Sequence, residues 1–244
     1  MPRIRIVDVG DSIAFGLVPS CADPSFDHRT CDYWEDGERG SRAARTVNGP
    51  PANPTSRSRP SLADNPFAPP PRSAPVNPFL MSDESEIDNP FLPRRAPIRP
   101  VLEPDAPRKL NLLTRGLGIF GSYAKVLIVD DETVAYVQFG PLTAYPRALR
   151  LRDHYPQLPQ APLPAVITCI ATTAAGRHRG YAQRLVAVTS EDLGQRGFAA
   201  VETYPQAGAA ADATSGATPA FWEVAGFVRV VDDEQFPVYR RELE

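Results

Sequence analysis

Apolar and polar positions alternate in short runs along the C-terminal half of the chain. Residues 126–129 and 133–139 are two β-type runs, and the polar triplet 130–132 joins them, which predicts an antiparallel hairpin. Residues 140–164 contain six prolines and are predicted to form a loop region. Residues 166–171 then form a continuous apolar run that predicts a buried strand.

After this strand and a short polar loop, the apolar positions follow a helical period. A set of mostly apolar residues falls at helical spacing, which predicts an amphipathic helix that ends near Gly197; they are Ala182, Leu185, Val186, Thr189 and Leu193. Beyond it the sequence predicts a strand at 198–204, a short helix at 217–225 ended by Gly226, and closing strands at 227–231 and 238–243. The order from residue 125 onward is β, β, β, α, β, α, β, β, and residues 4–7 predict one more strand.

A proline-rich stretch separates the two ends of this pattern. Sixteen of the 28 prolines lie between Asn48 and Pro107, and the stretch has few branched apolar residues and no sustained period. Such a composition cannot bury enough apolar surface to offset the entropy of ordering. We therefore predict an extended, mostly disordered insertion at 48–107, between an N-terminal part of the domain at 1–47 and its core at 108–244.

The tripeptide Asn-Pro-Phe occurs three times in this stretch, beginning at Asn65, Asn77 and Asn89, with a spacing of twelve residues. One interpretation is a duplicated linker in which Asn-Pro makes local turns. The other is a repeated linear motif, in which an aromatic anchor after a rigid proline binds a multivalent protein partner.

Charge and cysteine content limit the class of protein. The net charge of −3 argues against nucleic acid as a partner, because binding to phosphate backbones depends on clustered Lys and Arg. No apolar run approaches the length needed to cross a bilayer, so we expect a cytoplasmic protein. Three cysteines without paired spacing favour reduced thiols, and Cys21, His28 and Cys31 lack a fourth ligand, so no metal site is predicted.

A basic, glycine-containing loop follows the predicted strand at 166–171 and opens the amphipathic helix. It runs from Ala171 to Ala182 and contains Arg177, His178, Arg179 and Gly180. The first N–H groups of a helix have no intrahelical partner and the helix dipole favours an anion there, so this arrangement is typical of phosphate binding. The alternative is an ordinary strand-to-helix turn with solvated arginines.

The loop resembles the acyl-CoA signature of the GNAT superfamily of N-acyltransferases. Arg177-x-x-Gly180-x-Ala182 matches its Q/R-x-x-G-x-G/A pattern, and residues 221–227 resemble the last helix and Gly-Phe pair of that family. The resemblance implies an α/β (α+β) fold with a mixed, mostly antiparallel sheet and flanking helices. It also implies acetyl-CoA as the cofactor.

A narrower resemblance is to a mainly actinobacterial GNAT subgroup of unassigned function. It rests on the Cys31-Asp32-Tyr33-Trp34-Glu35 element, on Gly140-Pro141, on residues 145–148, on Thr168-Cys169 and on residues 201–205. On this resemblance, residues 1–47 supply the first strand and helices.

The resemblance implies direct transfer of an acetyl group to an amine in a ternary complex. It places Ile170, Thr172 and the loop residues Arg177, His178, Arg179, Gly180, Tyr181 and Ala182 against coenzyme A. A carboxylate can take the proton of an ammonium acceptor, so Glu202 is the candidate general base; its alternative is an ion pair with an arginine.

The leaving thiolate needs a proton donor. In the family that the chain resembles, a tyrosine on the last helix usually donates this proton. Trp222 occupies the matching position here and cannot act as an acid, so Tyr204 or water is the expected substitute. Tyr145 and Trp222 are expected to contact the acceptor.

Two functions follow from these residues. The first is an N-acetyltransferase acting on a small-molecule or protein amine, with a homodimer as a further expectation from the family. The second is a catalytically weak or inactive binding or scaffold protein that works through the Asn-Pro-Phe repeats.

Overall fold

One mixed sheet organises the computed structural model, which describes residues 2–21, 27–36, 106–208 and 216–243. The strands are β1 Ile4–Asp8, β2 Ala124–Val129, β3 Glu132–Pro141, β4 Ala165–Thr172, β5 Ala200–Thr203, β6 Val228–Val231 and β7 Val238–Glu242. Their order across the sheet is β1-β2-β3-β4-β5-β7-β6. Only β4 and β5 are parallel among these described pairs. The predicted fold class, a mixed and mostly antiparallel sheet with flanking helices, is confirmed.

Five helices flank the sheet in the described part of the chain: α1 Ser12–Gly16, α2 Arg108–Thr114, α3 Pro146–Asp153, α4 Tyr181–Gln195 and α5 Pro219–Val224. The apolar stripe of α4, including Leu185 and Leu193, packs into the core on one face of the sheet. Phe15 of α1 and Leu113 of α2 pack into the core on the other face. The sheet is therefore covered on both sides, which explains why β2 is buried along its whole length.

The hairpin and the long helix follow the sequence pattern closely. β2 and β3 pair as predicted, and Asp130 and Asp131 make the turn with φ values of 48° and 72°. Asp tolerates this left-handed region better than most residues. The chain leaves α4 through Gly197, whose φ is 86°, so glycine there fits the predicted helix end.

The prediction of a loop at 140–164 is wrong in its middle. Helix α3 occupies Pro146–Asp153, and Pro146 lies in its first turn. Proline is tolerated there because the first N–H groups of a helix have no intrahelical acceptor. The proline that suggested a break therefore starts a helix.

Residues before and after the predicted insertion pack together. β1 pairs with β2 along its length, from Ile4 opposite Val129 to Asp8 opposite Lys125. The insertion itself, up to residue 105 and with all three Asn-Pro-Phe repeats, lies outside the described residues. Within those residues no helix is both long enough and apolar enough to span a membrane.

Candidate cofactor-binding site

Strands β4 and β5 part soon after they begin. They are paired only at Ala165 with Val201 and at Val166 with Glu202, whereas β4 continues to Thr172, paired with β3 on its other edge. Beyond Val166 the β5-facing edge of β4 has no partner strand within the described chain. Backbone N–H and C=O groups need hydrogen-bond partners, so this edge can bind an extended ligand.

The loop after β4 is held tightly against β3. Thr173 N donates to the Val134 carbonyl at 3.0 Å, and a Cβ on Gly176 would lie 2.7 Å from the same oxygen. Any side chain at Gly176 would force the loop away from β3. The chain then turns into α4 through His178 and Gly180, whose φ values are 57° and 75°.

The N-terminus of α4 is open toward solvent. Gly180 is the N-cap and has no side chain that could accept from the first N–H groups of the helix. The first intrahelical bond runs from Arg184 N to the Gly180 carbonyl at 3.0 Å. The N–H groups of residues 181–183 therefore have no intrahelical acceptor. With the dipole of a four-turn helix behind them and Arg177 and Arg179 exposed nearby, they form a favourable site for an anion.

A pocket of about 610 Å³ connects these features. Seven of the eight residues predicted to bind the cofactor line it: Ile170, Thr172, Arg177, His178, Gly180, Tyr181 and Ala182. The eighth, Arg179, is exposed beside the pocket but does not line it. One side of the pocket therefore coincides with the motif.

The other side was not foreseen from the sequence. Ala217, Thr218 and Phe221, at the start of α5, line the pocket opposite α4. Thr218 caps α5 by accepting from Phe221 N. A capping threonine before a helix is readable from the sequence, but nothing in the pattern shows that this helix faces Gly180.

The predicted catalytic pair requires correction. Glu202 is 0% exposed and forms ion pairs with Arg152 at 3.0 Å and Arg240 at 2.7 Å. Tyr204 donates its hydroxyl proton to the same carboxylate at 2.7 Å, and burial followed by the Glu202 charge raises the pKa of Tyr204 well above its usual value. Neither residue lines the pocket, so the ion-paired alternative for Glu202 is the one observed.

The predicted acceptor contacts also require correction. Tyr145 and Trp222 are both 0% exposed. The Tyr145 hydroxyl donates to the Phe139 carbonyl at 2.7 Å, and Trp222 Nε1 donates to the Gly216 carbonyl at 2.9 Å. Both side chains are satisfied core aromatics, while the adjacent Phe221 faces the pocket.

A second polar cluster lies on the opposite face of the sheet. Glu35 is paired with Lys109 at 2.7 Å, and both side chains are 3% exposed. His28 contacts the sulfur of Cys169 through Nδ1 at 3.5 Å. Burial, followed by the charge of Lys109, lowers the pKa of His28 to about 4, so its imidazole is neutral at neutral pH.

Comparison with known proteins gives structural neighbours only. No family model and no curated protein matches the chain. Among solved structures, Ard1 from Thermoplasma volcanium is 13% identical, with 50% of this chain and 72% of that one covered at a TM-score of 0.35.

Two further solved structures have similarly low sequence identity and TM-score. PaiA N-acetyltransferase from Thermoplasma acidophilum, solved with coenzyme A, is 10% identical over 55% of this chain and 68% of that one, at a TM-score of 0.38. Nourseothricin acetyltransferase is 14% identical over 50% and 65%, at a TM-score of 0.35.

Proposed function

We propose that the chain binds acetyl-CoA in the pocket between β4, α4 and α5 and transfers the acetyl group to an amine. The observation that supports this most is the uncapped N-terminus of α4 at Gly180, which opens beside the unpaired edge of β4. The helix start supplies N–H donors for a diphosphate. The strand edge supplies donors and acceptors for the amide groups of pantetheine.

The unpaired edge of β4 also gives the chemical step a donor. In acyl transfer the carbonyl oxygen becomes an oxyanion, and a fixed N–H group aimed at it lowers the barrier. A backbone N–H of β4 beyond Val166 is our candidate for this role, because the β5 side of the strand is open there. The protein then contributes mainly by holding the thioester and amine in position.

The buried position of Glu202 and Tyr204 favours other groups for proton transfer. Glu202 and Tyr204 bond to each other and to two arginines in the interior. Of the described residues that line the pocket, His178 carries an imidazole and Tyr181 a phenol, and both side chains can donate a hydrogen bond to the leaving group. Water or one of these two groups would therefore protonate the leaving thiolate.

The second candidate function is a binding protein that holds coenzyme A without turnover. It is favoured by one specific observation: the side chain at the expected acid position, Trp222, is buried and hydrogen-bonded within the core. On this proposal the Asn-Pro-Phe repeats bind the protein partner.

Release of the coenzyme A thiol separates the two candidates. The full chain is mixed with acetyl-CoA and a panel of primary amines, comprising a polyamine, free amino acids and short peptides with a free N-terminus. An acetyltransferase releases thiol faster with at least one acceptor, and a Gly180→Glu variant abolishes the increase. Binding of acetyl-CoA without acceptor-dependent release for any probe would reject transfer in favour of the binding protein.

A further inference from the structure

Two buried polar atoms that have no hydrogen-bond partner among the described residues lie in one cluster on the sheet face opposite α4. Tyr136 and Gln138 of β3 and Cys169 of β4 form the sheet side of the cluster. The segment 27–36 covers them and contributes His28 and Glu35. The Tyr136 hydroxyl bonds to Gln138 at 3.3 Å, and the rings of His28 and Tyr136 are 5.0 Å apart, so the five side chains are contiguous.

Glu35 uses only one of its two carboxylate oxygens. Oε1 accepts from Lys109 Nζ at 2.7 Å and from Gln138 Nε2 at 2.9 Å. Oε2 is buried and accepts no hydrogen bond from any described residue. A buried charged oxygen left unsatisfied is costly, which points to a donor that the protein itself does not supply.

His28 has a matching unpaired atom. The residue is 4% exposed, its Nδ1 lies 3.5 Å from the sulfur of Cys169, and its Nε2 is buried without a hydrogen-bond partner in the described chain. The neutral imidazole carries one proton. With that proton on Nδ1, toward the sulfur, Nε2 presents a lone pair.

We propose that Glu35 Oε2 and His28 Nε2 bind the primary amine of the acceptor. With Nε2 unprotonated, each of the two atoms can accept a hydrogen bond, and a primary amine nitrogen carries the two N–H hydrogens that would satisfy both. Lys109 already balances the Glu35 charge, so the site selects by hydrogen bonding rather than by net charge. This inference rests on the proposed transfer function, since it names the acceptor end of the same reaction.

The position of the cluster on β4 fits this role. Cys169 belongs to the core on the α1 and α2 face, whereas its neighbour Ile170 lines the pocket. Beyond Val166 the β5-facing edge of β4 has no partner strand in the described chain, so Cys169 and Ile170 lie on opposite faces of a strand whose edge is open at that point. Both unpaired atoms are carried by segment 27–36, so displacement of that one segment exposes them together.

The binding test does not require catalysis. Long-range ¹H–¹⁵N NMR spectra of the three histidines are recorded on the full chain, with His28 assigned through a His28→Phe variant. The probe is n-butylamine, and n-butanol at the same concentrations is its matched neutral analogue. The amine is expected to shift the His28 ring nitrogens saturably while the alcohol does not.

Variants test the second ligand atom. A Glu35→Gln, Lys109→Met double variant removes both charges of the buried pair, which avoids leaving a lone buried ammonium. It should weaken the butylamine titration at least tenfold. Glu234→Gln removes an exposed carboxylate and should leave the titration unchanged. If the double variant does not fold, the titration of the wild type with amine and alcohol still tests the proposal.

Three outcomes contradict the proposal: no saturable shift, the same shift with butanol, or an undiminished titration in a folded double variant. A shift shared by butanol would show that the site does not select an amine over a hydroxyl group. Calorimetry with acetyl-CoA on the same samples separates this inference from the proposed function. Acetyl-CoA binding without an amine response rejects the inference alone, whereas an amine response without acetyl-CoA binding rejects the transfer function and leaves an amine site.

Discussion

Glu202 shows how burial decides what a single carboxylate can do. From the sequence, an acid on a strand next to the predicted cofactor strand is a reasonable general base. In the fold it is fully buried between Arg152 of α3 and Arg240 of β7, so its charge is used to hold three elements together. The helix that contributes Arg152 was predicted to be a loop, and Arg240 is 38 residues away in the sequence, so neither partner could be assigned beforehand.

Removing this charge should cost stability. Glu202→Gln leaves two buried arginines without their carboxylate, and breaking a buried pair on one side typically costs about 3–5 kcal/mol. We expect a loss of this size in the free energy of unfolding measured by urea titration, with acetyl-CoA affinity unchanged in the remaining folded protein.

Glu242→Gln is the matched control for this substitution. Glu242 also pairs with Arg240, but its side chain is 70% exposed, and exposed pairs contribute about 0–1 kcal/mol. Equal losses for the two variants would contradict the buried-network account. A stable Glu202→Gln protein that binds acetyl-CoA but has lost turnover would restore the general-base assignment.

At the scale of elements, periodic segments were predictable and their mutual positions were not. The hairpin and β4 are defined by short β-type apolar runs and α4 by its helical period, so the type of each could be predicted. The short α1 and α2, and α3 with its leading proline, lack a sustained period, and packing decides them.

The candidate site divides in the same way. Its α4 side is a local motif at 177–182, whereas its α5 side joins residues 217–221 to that motif only through the tertiary fold.

Gly176 determines how closely the β4–α4 loop approaches β3. Alanine there would place Cβ 2.7 Å from the Val134 carbonyl oxygen, and because this atom is backbone, the loop must move. We expect Gly176→Ala to destabilise the protein by about 1–3 kcal/mol and to weaken acetyl-CoA binding, measured by urea unfolding and calorimetry.

Gly16→Ala provides the comparison. A Cβ at Gly16 meets nothing within 4 Å, so this substitution should not reduce stability. Unchanged stability and affinity in Gly176→Ala would show that the close approach to β3 is not needed.

For the whole molecule, the structure shows that the segments just before and just after the undescribed residues 37–105 contact each other. Asp32 and Arg108 approach to 3.0 Å, and Glu35 and Lys109 to 2.7 Å. The ends that flank the undescribed residues 37–105 are therefore close to each other. A short connection can join them.

Deleting residues 50–105 should consequently leave a folded protein, with residues 37–49 as the connection. We expect a melting temperature within a few degrees of the full chain and unchanged acetyl-CoA affinity. A second variant that replaces the same residues by a Gly-Ser segment of equal length separates loss of sequence from loss of length. Unfolding or loss of solubility in both variants would make the stretch part of the fold.

We propose that the open start of α4 holds the diphosphate of acetyl-CoA. Calorimetric titration of acetyl-CoA into the wild type, Gly180→Glu and Gly197→Glu tests it. Both glycines are exposed and have positive φ, 75° and 86°, so both substitutions introduce the same residue into a similar backbone conformation. They flank α4 at its opposite ends, and a helix of 15 residues is about 22 Å long.

Micromolar binding by the wild type and by Gly197→Glu, with binding lost in Gly180→Glu, is the predicted result. No binding by the wild type, or equal binding by all three proteins, would contradict the claim.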